Sequence, residues 1–237
     1  MNLKNSLKLC ISDLFDLFYP KLCFGCNGVL RDHEDTICYS CLYELSVTQM
    51  HKDVFNNPVT ELFSCRADIV SGCSFFDYIK GGLLQRLIHD LKYNDVPQVG
   101  VVLGKYAGRH LLEQKAFDDV DFLVPVPLHR IKFLKRGYNQ AERIAFGLSY
   151  YLKIPVNEQV LLKVNYNQTQ TKKKKLDRWI NALNIYQAQP QLEQFHNKHF
   201  LLVDDVLTTG STLESCIIEL KKIPGSKVSV FTLGKAK

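Results

Sequence analysis

The chain predicts an α/β fold, a mostly parallel sheet flanked by helices, with a small cysteine-bearing module near its start. Three observations point there. Strand-like apolar runs alternate with helix-periodic runs from residue 69 onward. Two Cys-x-x-Cys pairs stand close together before them, and one apolar run, "FLLVDDVLTTGST" (200–212), ends in two adjacent carboxylates and a hydroxyl-rich turn. Alternation of strands and helices implies parallel neighbours, because parallel strands need a long crossover connection.

The 237 residues are 46% apolar and 23% charged, which fits one large domain or a domain with a small appendage. The net charge of +6 favours a polyanionic or phosphorylated partner only weakly. In the opening "MNLKNSLKLCISDLFDLFYP", Lys8, Asp13 and Asp16 interrupt the apolar run and no small-residue cleavage site follows. Leu7, Ile11, Leu14, Phe15 and Phe18 recur at helical spacing, so the segment reads as an amphipathic helix packed on the rest rather than a membrane anchor. No stretch approaches the roughly 20 apolar residues that span a bilayer. The expectation is a cytoplasmic protein without stable membrane insertion.

Next come "CFGC" and "CYSC", with Cys23, Cys26, Cys38 and Cys41 as two pairs eleven residues apart. Such pairs present thiolates to one tetrahedral Zn²⁺, and four sulfurs leave no open position for chemistry. A redox pair and four ordinary thiols are the competing readings. Gly25 and Gly28 suit a tight knuckle whose backbone N–H groups point at sulfur. Cys10, Cys65, Cys73 and Cys216 read as small buried hydrophobes. The boundaries that follow are 1–45 for the N-terminal helix with a zinc-ribbon-like module and 46–237 for the main domain.

Residues 44–68 carry polar residues and a proline and read as a connector; 69–79 reads as a strand or hairpin. From Gly81, Leu83, Leu84, Leu87, Ile88 and Leu91 share a helical face, with Lys92 and Tyr93 at its end. Pro97 suits the first turn of a second helix running to about Glu113. "DFLVPVP" (121–127) is a short strand stopped by prolines, and 137–152 returns to helix with Ala141, Ile144, Ala145, Leu148 and Leu152 inward. "IPVNEQVLLKV" (154–164) is strand-like, while 165–175 is polar, aperiodic and reads as a mobile loop. A short helix, a strand at 199–204, a helix at 211–222 and a strand at 226–233 complete the chain.

In such sheets ligands sit beyond the carboxyl ends of the strands, where Asp204 and Asp205 stand. After them Thr208, Thr209, Gly210, Ser211 and Thr212 form a strand-to-helix turn whose N–H groups can nest a phosphate monoester. No Gly-x-x-x-x-Gly-Lys is present, so this is not a Walker loop. Two carboxylates would repel a polyphosphate but accept hydrogen bonds from the vicinal hydroxyls of a sugar. A ribose 5-phosphate fits both halves of the motif.

That motif resembles the fingerprint of the type I phosphoribosyltransferases. "VPVPLHRIKFLKRGYNQAE" (124–142), the spacing of Gln170, Arg178 and Asn181, and the four-cysteine module together resemble the ComF family of competence-associated and DNA-utilisation proteins. Where that family usually has leucine three residues after the glutamine, this chain has Lys173. The resemblance implies a type I phosphoribosyltransferase-like domain binding phosphoribosyl pyrophosphate (PRPP) with Mg²⁺. In it Asp204 and Asp205 hold the ribose hydroxyls and residues 208–212 hold the 5′-phosphate. Pro127, Leu128, His129 and Arg130 occupy the position of the pyrophosphate loop, with Arg130 or Arg136 neutralising the leaving group. Gln170, Lys173 and Arg178 fall in the flexible loop, which would close as a lid or stay a solvated lysine-rich loop.

A non-enzymatic alternative stays open. "RIKFLKRGYNQ" and "KKKKLDRW" interleave basic and aromatic residues as single-stranded DNA binding requires, and partners in the competence machinery follow from the resemblance. The acceptor of any transfer and the oligomeric state are not readable from the residues.

Overall fold

The structure is a computed structural model that describes residues 19–163, 186–189 and 193–236. The expected N-terminal helix, Cys10, and the loop residues Gln170, Lys173, Arg178, Trp179 and Asn181 lie outside the described residues.

A four-stranded sheet forms the centre. Its strands are β1 (Gly72–Tyr78), β2 (Phe122–Pro125), β5 (His199–Leu207) and β6 (Lys227–Ala236), in the order β1-β6-β5-β2 with every neighbour parallel. Phe200–Val203 is fully buried, as expected of a strand covered on both faces. The helices are α1 (Tyr39–Glu44), α2 (Pro58–Phe63), α3 (Leu83–Tyr93), α4 (Pro97–Glu113), α5 (Arg130–Arg136), α6 (Gln140–Leu152) and α7 (Ser211–Leu220). A separate antiparallel pair, β3 (Leu161–Lys163) and β4 (Tyr186–Ala188), flanks α7 and brackets the segment expected to be a loop. The parallel α/β architecture foreseen from the alternation is the one observed.

Two helices depart from the expectation. The connector at 44–68 contains α2, capped by Asn57, whose side chain accepts from the Val59 N–H at 2.9 Å, and anchored by buried Val59 and Phe63. The region expected to form the pyrophosphate loop contains α5. It is ended by Gly137 in the left-handed region (φ 77) and buries none of its residues, so it lacks the apolar stripe by which helices are recognised. The strand at 154–164 shrinks to β3, plus a single parallel bridge from Val156 to Leu123.

Helices α4 and α6 cross with their backbones in contact. A Cβ on Gly147 would stand 2.4 Å from the Val101 carbonyl oxygen, and one on Gly104 would stand 2.4 Å from that of Ile144. Backbone cannot swing aside as a side chain can. Gly147→Val is therefore expected to force the helices apart and destabilise the fold by about 3 kcal/mol, the upper part of the overpacking range. Urea unfolding should show a lower midpoint with an unchanged slope. A midpoint equal to wild type would contradict this crossing.

The cysteine module rests on this body. Cys23, Ile37, Cys41, Leu42 and Leu45 are buried in the same apolar cluster as Phe75, Leu84 and Leu87, and the Arg86 guanidinium donates to the Gly25 carbonyl at 3.4 Å. At the N-terminal end of β5, His199 bridges Asp119 (Nδ1 to Oδ2, 3.0 Å) and Ser229 (Nε2 to Oγ, 2.8 Å), and Ser229 meets Ser71 at 2.8 Å. This serine–histidine–aspartate chain is fully buried at Ser229. It ties β5 and β6 to the residue before β1, with Ser71, Ser229 and His199 all buried.

Candidate functional site

Strand β5 continues to Leu207, three residues beyond the expected end, so Asp204 and Asp205 lie within its last four residues. Their backbone bonds back onto them. The Asp205 N–H donates to Asp204 Oδ1 at 2.9 Å, and the Val206 N–H donates to Asp205 Oδ1 at 2.6 Å. Asp204 faces a cleft of about 260 Å³ whose walls include Asp205, Thr212, Lys92, Lys132, Arg136, Gln140, Lys163 and Tyr186. Burial and then the neighbouring Asp205 charge push the Asp204 carboxyl up to about 7. Asp205 is held by the Lys92 ammonium at 2.6 Å.

The raised Asp204 carboxyl has a consequence for stability. An acid that titrates higher in the folded state than in the unfolded chain binds extra protons when folded. Stability attributable to it then falls as pH rises between the two values, from about 4 to about 7. Asp204→Asn is therefore expected to be more stable than wild type at about pH 8, by at most about 4 kcal/mol, with the advantage fading towards pH 4. Thermal unfolding across pH checks this. A variant less stable than wild type at pH 8 would show that the carboxylate is a structural asset rather than a strained functional group.

The hydroxyl-rich turn wraps a smaller recess of about 40 Å³ lined by Asp204 and residues 206–213. Gly210 takes the left-handed conformation (φ 79) at the cap of α7, and a Cβ there would meet the Phe63 ring at 3.1 Å. Thr208, Thr209, Ser211 and Thr212 are exposed around it. Arg66, just after α2, donates to the Thr209 carbonyl at 2.7 Å and pairs with Glu214 of α7. A residue from the supposed connector thus braces this turn, which sequence spacing did not reveal.

The opposite wall comes from the "RGYNQAE" stretch. The Tyr138 hydroxyl donates to the Leu91 carbonyl at 2.7 Å, and Asn139 caps α6 while its Nδ2 donates to the Val126 carbonyl at 3.0 Å. Arg136 donates to Gln140 Oε1 at 2.8 Å and lies over the Tyr93 ring at 5.1 Å. Pro127, Leu128 and Arg136 line the cleft with the aspartates; His129 and Arg130 do not. His129 caps α5 by accepting from the Ile131 N–H at 3.2 Å, and Arg130 lines a neighbouring cavity of about 390 Å³. Lys92, Lys163 and Tyr186 enter the site unannounced by the sequence, while Lys132 and Gln140 come from the quoted 124–142 stretch without having been assigned to this cleft. Burial lowers the Lys163 ammonium, which donates to the Tyr186 hydroxyl at 3.1 Å, and burial, then the neighbouring Cys216 and Asp204, raise Tyr186.

The four module cysteines come together, their sulfurs all within 4.8 Å of one another, as a cluster that could hold a metal ion. N–H groups of Gly25 and Cys38 point at Cys23 Sγ (3.3 and 3.2 Å), and that of Gly28 points at Cys26 Sγ (3.4 Å). Burial pushes the Cys23 thiol up, but the N–H donors of Cys38, Cys26 and Gly25 outweigh it and bring it to about 7. The left-handed residue of the knuckle is Asn27 (φ 58), not a glycine. Gly25 is required instead for space, since a Cβ there would lie 2.7 Å from Cys41 Sγ.

The chain is similar to several known proteins. A family model described as the phosphoribosyl transferase domain matches residues 133–235, a span that holds the aspartate pair and the turn. Competence protein F of Haemophilus influenzae is 34% identical over 114 residues, covering 48% of this chain and 50% of that protein. Competence protein ComFC of Bacillus subtilis is 27% identical over 220 residues, covering 90% and 83%, and DNA utilization protein YhgH of Salmonella typhi is 26% identical over 153 residues, covering 63% and 66%. The chain thus spans about half the length of the first of these relatives. Among the described residues no helix is long and apolar enough to cross a membrane.

Proposed function

We propose that the chain, which carries a match to the phosphoribosyl transferase domain and is similar to ComF-type competence and DNA utilization proteins, binds PRPP, transfers its phosphoribosyl group and serves DNA uptake or the use of DNA as a nutrient. The observation that carries this is the aspartate pair facing the cleft beside a hydroxyl-rich turn at the start of α7. Asp204 and Asp205 accept hydrogen bonds from the ribose hydroxyls, and Thr208–Thr212 cradle the 5′-phosphate. The diphosphate lies towards Lys132, Arg136 and the start of α6. As the C1–oxygen bond breaks, the electron pair leaves with pyrophosphate and a nitrogen nucleophile bonds to C1. The ribose turns cationic above two carboxylates, which favours the transition state over the ground state. Mg²⁺, when bound with PRPP, neutralises charge on the diphosphate and makes it a better leaving group.

The metal of the cysteine module is zinc in this reading. The Cys26–Cys38 sulfur separation of 3.8 Å matches the edge of a tetrahedron with about 2.3 Å metal–sulfur bonds. Four sulfurs close the shell, so the ion holds residues 23–45 together and takes no part in transfer.

A second reading, single-stranded DNA binding, is favoured by α5, which exposes Phe133, Ile131 and Leu134 among Arg130, Lys132, Lys135 and Arg136. Beside it opens a cavity of about 480 Å³ lined by Lys92, Tyr93, Lys132, Lys135 and Arg136. Thermal unfolding with ligands separates the readings. PRPP with Mg²⁺ at about 100 times its dissociation constant is expected to stabilise by about 2.7 kcal/mol, some 5–10 °C in a domain of this size. A single-stranded oligonucleotide that stabilises at low salt only, with PRPP inert, would favour the second reading.

A further inference from the structure

We infer that Lys92 is a positioning residue of the site: the built-in counter-cation that keeps the Asp204–Asp205 pair charged inside the cleft so that it can accept sugar hydroxyls. This deepens the ribose-clamp reading and rests on it.

Two adjacent carboxylates in a half-buried cleft repel each other, and the cheapest relief is to take up a proton. A protonated carboxyl is a poor acceptor for a hydroxyl, so a hydroxyl clamp needs a resident positive charge. Lys92 supplies one. Its ammonium lies 2.6 Å from Asp205 Oδ2, and both side chains are largely withdrawn from solvent (26% and 15% exposed). This is therefore not a solvated surface pair of negligible strength. The last turn of α3 is itself fixed, because the Leu91 carbonyl accepts from the Tyr138 hydroxyl and Tyr93 packs under Arg136. Lys92 thus arrives at the aspartates on a rigid mount that also steadies the diphosphate side of the cleft.

Other groups face the pair from every element around it. Lys163 comes from β3, the Tyr186 hydroxyl from β4, Cys216 from α7, and Lys132 with Arg136 from α5. Among the described residues Lys92 is the one that makes an ion pair with either aspartate. Its positive charge also draws the Asp204 carboxyl down against burial and Asp205.

The test uses full-length Lys92→Met, which keeps most of the aliphatic stem, and Lys92→Arg, which restores the charge. Carboxyl carbon NMR of the ligand-free proteins follows proton uptake by the aspartate pair. In Lys92→Met the midpoint is expected to move up by about one unit or more, and in Lys92→Arg to stay near wild type. PRPP–Mg²⁺ titrations across pH supply the second readout. Lys92→Met should bind about tenfold or more weakly near pH 7, with the deficit closing towards pH 9 as the pair ionises without help. A role in packing alone gives a pH-independent loss, and that result, or an unmoved carboxyl midpoint, overturns the inference. If wild type binds no PRPP at any pH, the ribose-clamp reading fails by itself. The ligand-free midpoint then decides for Lys92: moved, its role as counter-cation stands; unmoved, it falls.

Discussion

Metal removal from the four-cysteine module is expected to unfold residues 23–45 and weaken the whole domain, the largest effect foreseen for any single perturbation. The module has few means of its own to stay folded. It consists of one six-residue helix, two isolated bridges and four clustered sulfurs. Structural zinc contributes about 10–16 kcal/mol to such modules near neutral pH, more than a small apolar patch supplies. Without the ion, the buried thiols of Cys23 and Cys41 crowd one another, burial and the neighbouring thiols driving Cys41 up. The damage spreads because Ile37, Leu42 and Leu45 share a core with Phe75 and Leu87. Chelator treatment or Cys41→Ser should raise hydrogen exchange across 23–45 to unfolded rates and lower the melting temperature by about 10 °C or more. A metal-free protein, verified by elemental analysis, that keeps its protection in this segment would contradict a structural metal.

The second large effect is expected at the cleft. Asp204→Asn/Asp205→Asn removes both anionic acceptors while keeping their shape. A hydrogen bond to a charged group is worth about 1.5–3 kcal/mol, so losing two should weaken PRPP binding by about a hundredfold or more. The fold should survive, because Asp204 is a carboxylate that burial works against. A variant that remains folded and binds PRPP as wild type does would remove the aspartates from the site. Loss of binding together with unfolding would say only that they matter structurally.

Much of this was legible in the residues because it is local. Apolar runs, the face Leu83–Leu84–Leu87–Ile88–Leu91 and the Asp-Asp-turn motif each depend on chemistry within a dozen positions. The four cysteines were legible because metal geometry imposes a spacing. What stayed hidden is either non-periodic or distant. Helix α5 buries no side chain, and α2 is six residues long, so its buried Val59 and Phe63 span a single turn, too little chain to establish a period. Lys92, Lys163 and Tyr186 belong to three separate elements that only the tertiary fold brings to Asp204 and Asp205. Arg66 braces Thr209 across 143 positions of chain. The placing of Arg130 apart from the cleft, with Arg136 inside it, follows from the α5 turn that the sequence did not disclose.

The most direct measurement is a calorimetric titration of the metal-replete protein with PRPP and Mg²⁺. A saturable heat with one site per chain, absent from the double aspartate variant, is the predicted result. No heat and no competition with ribose 5-phosphate, in protein shown to be folded, would contradict the PRPP site.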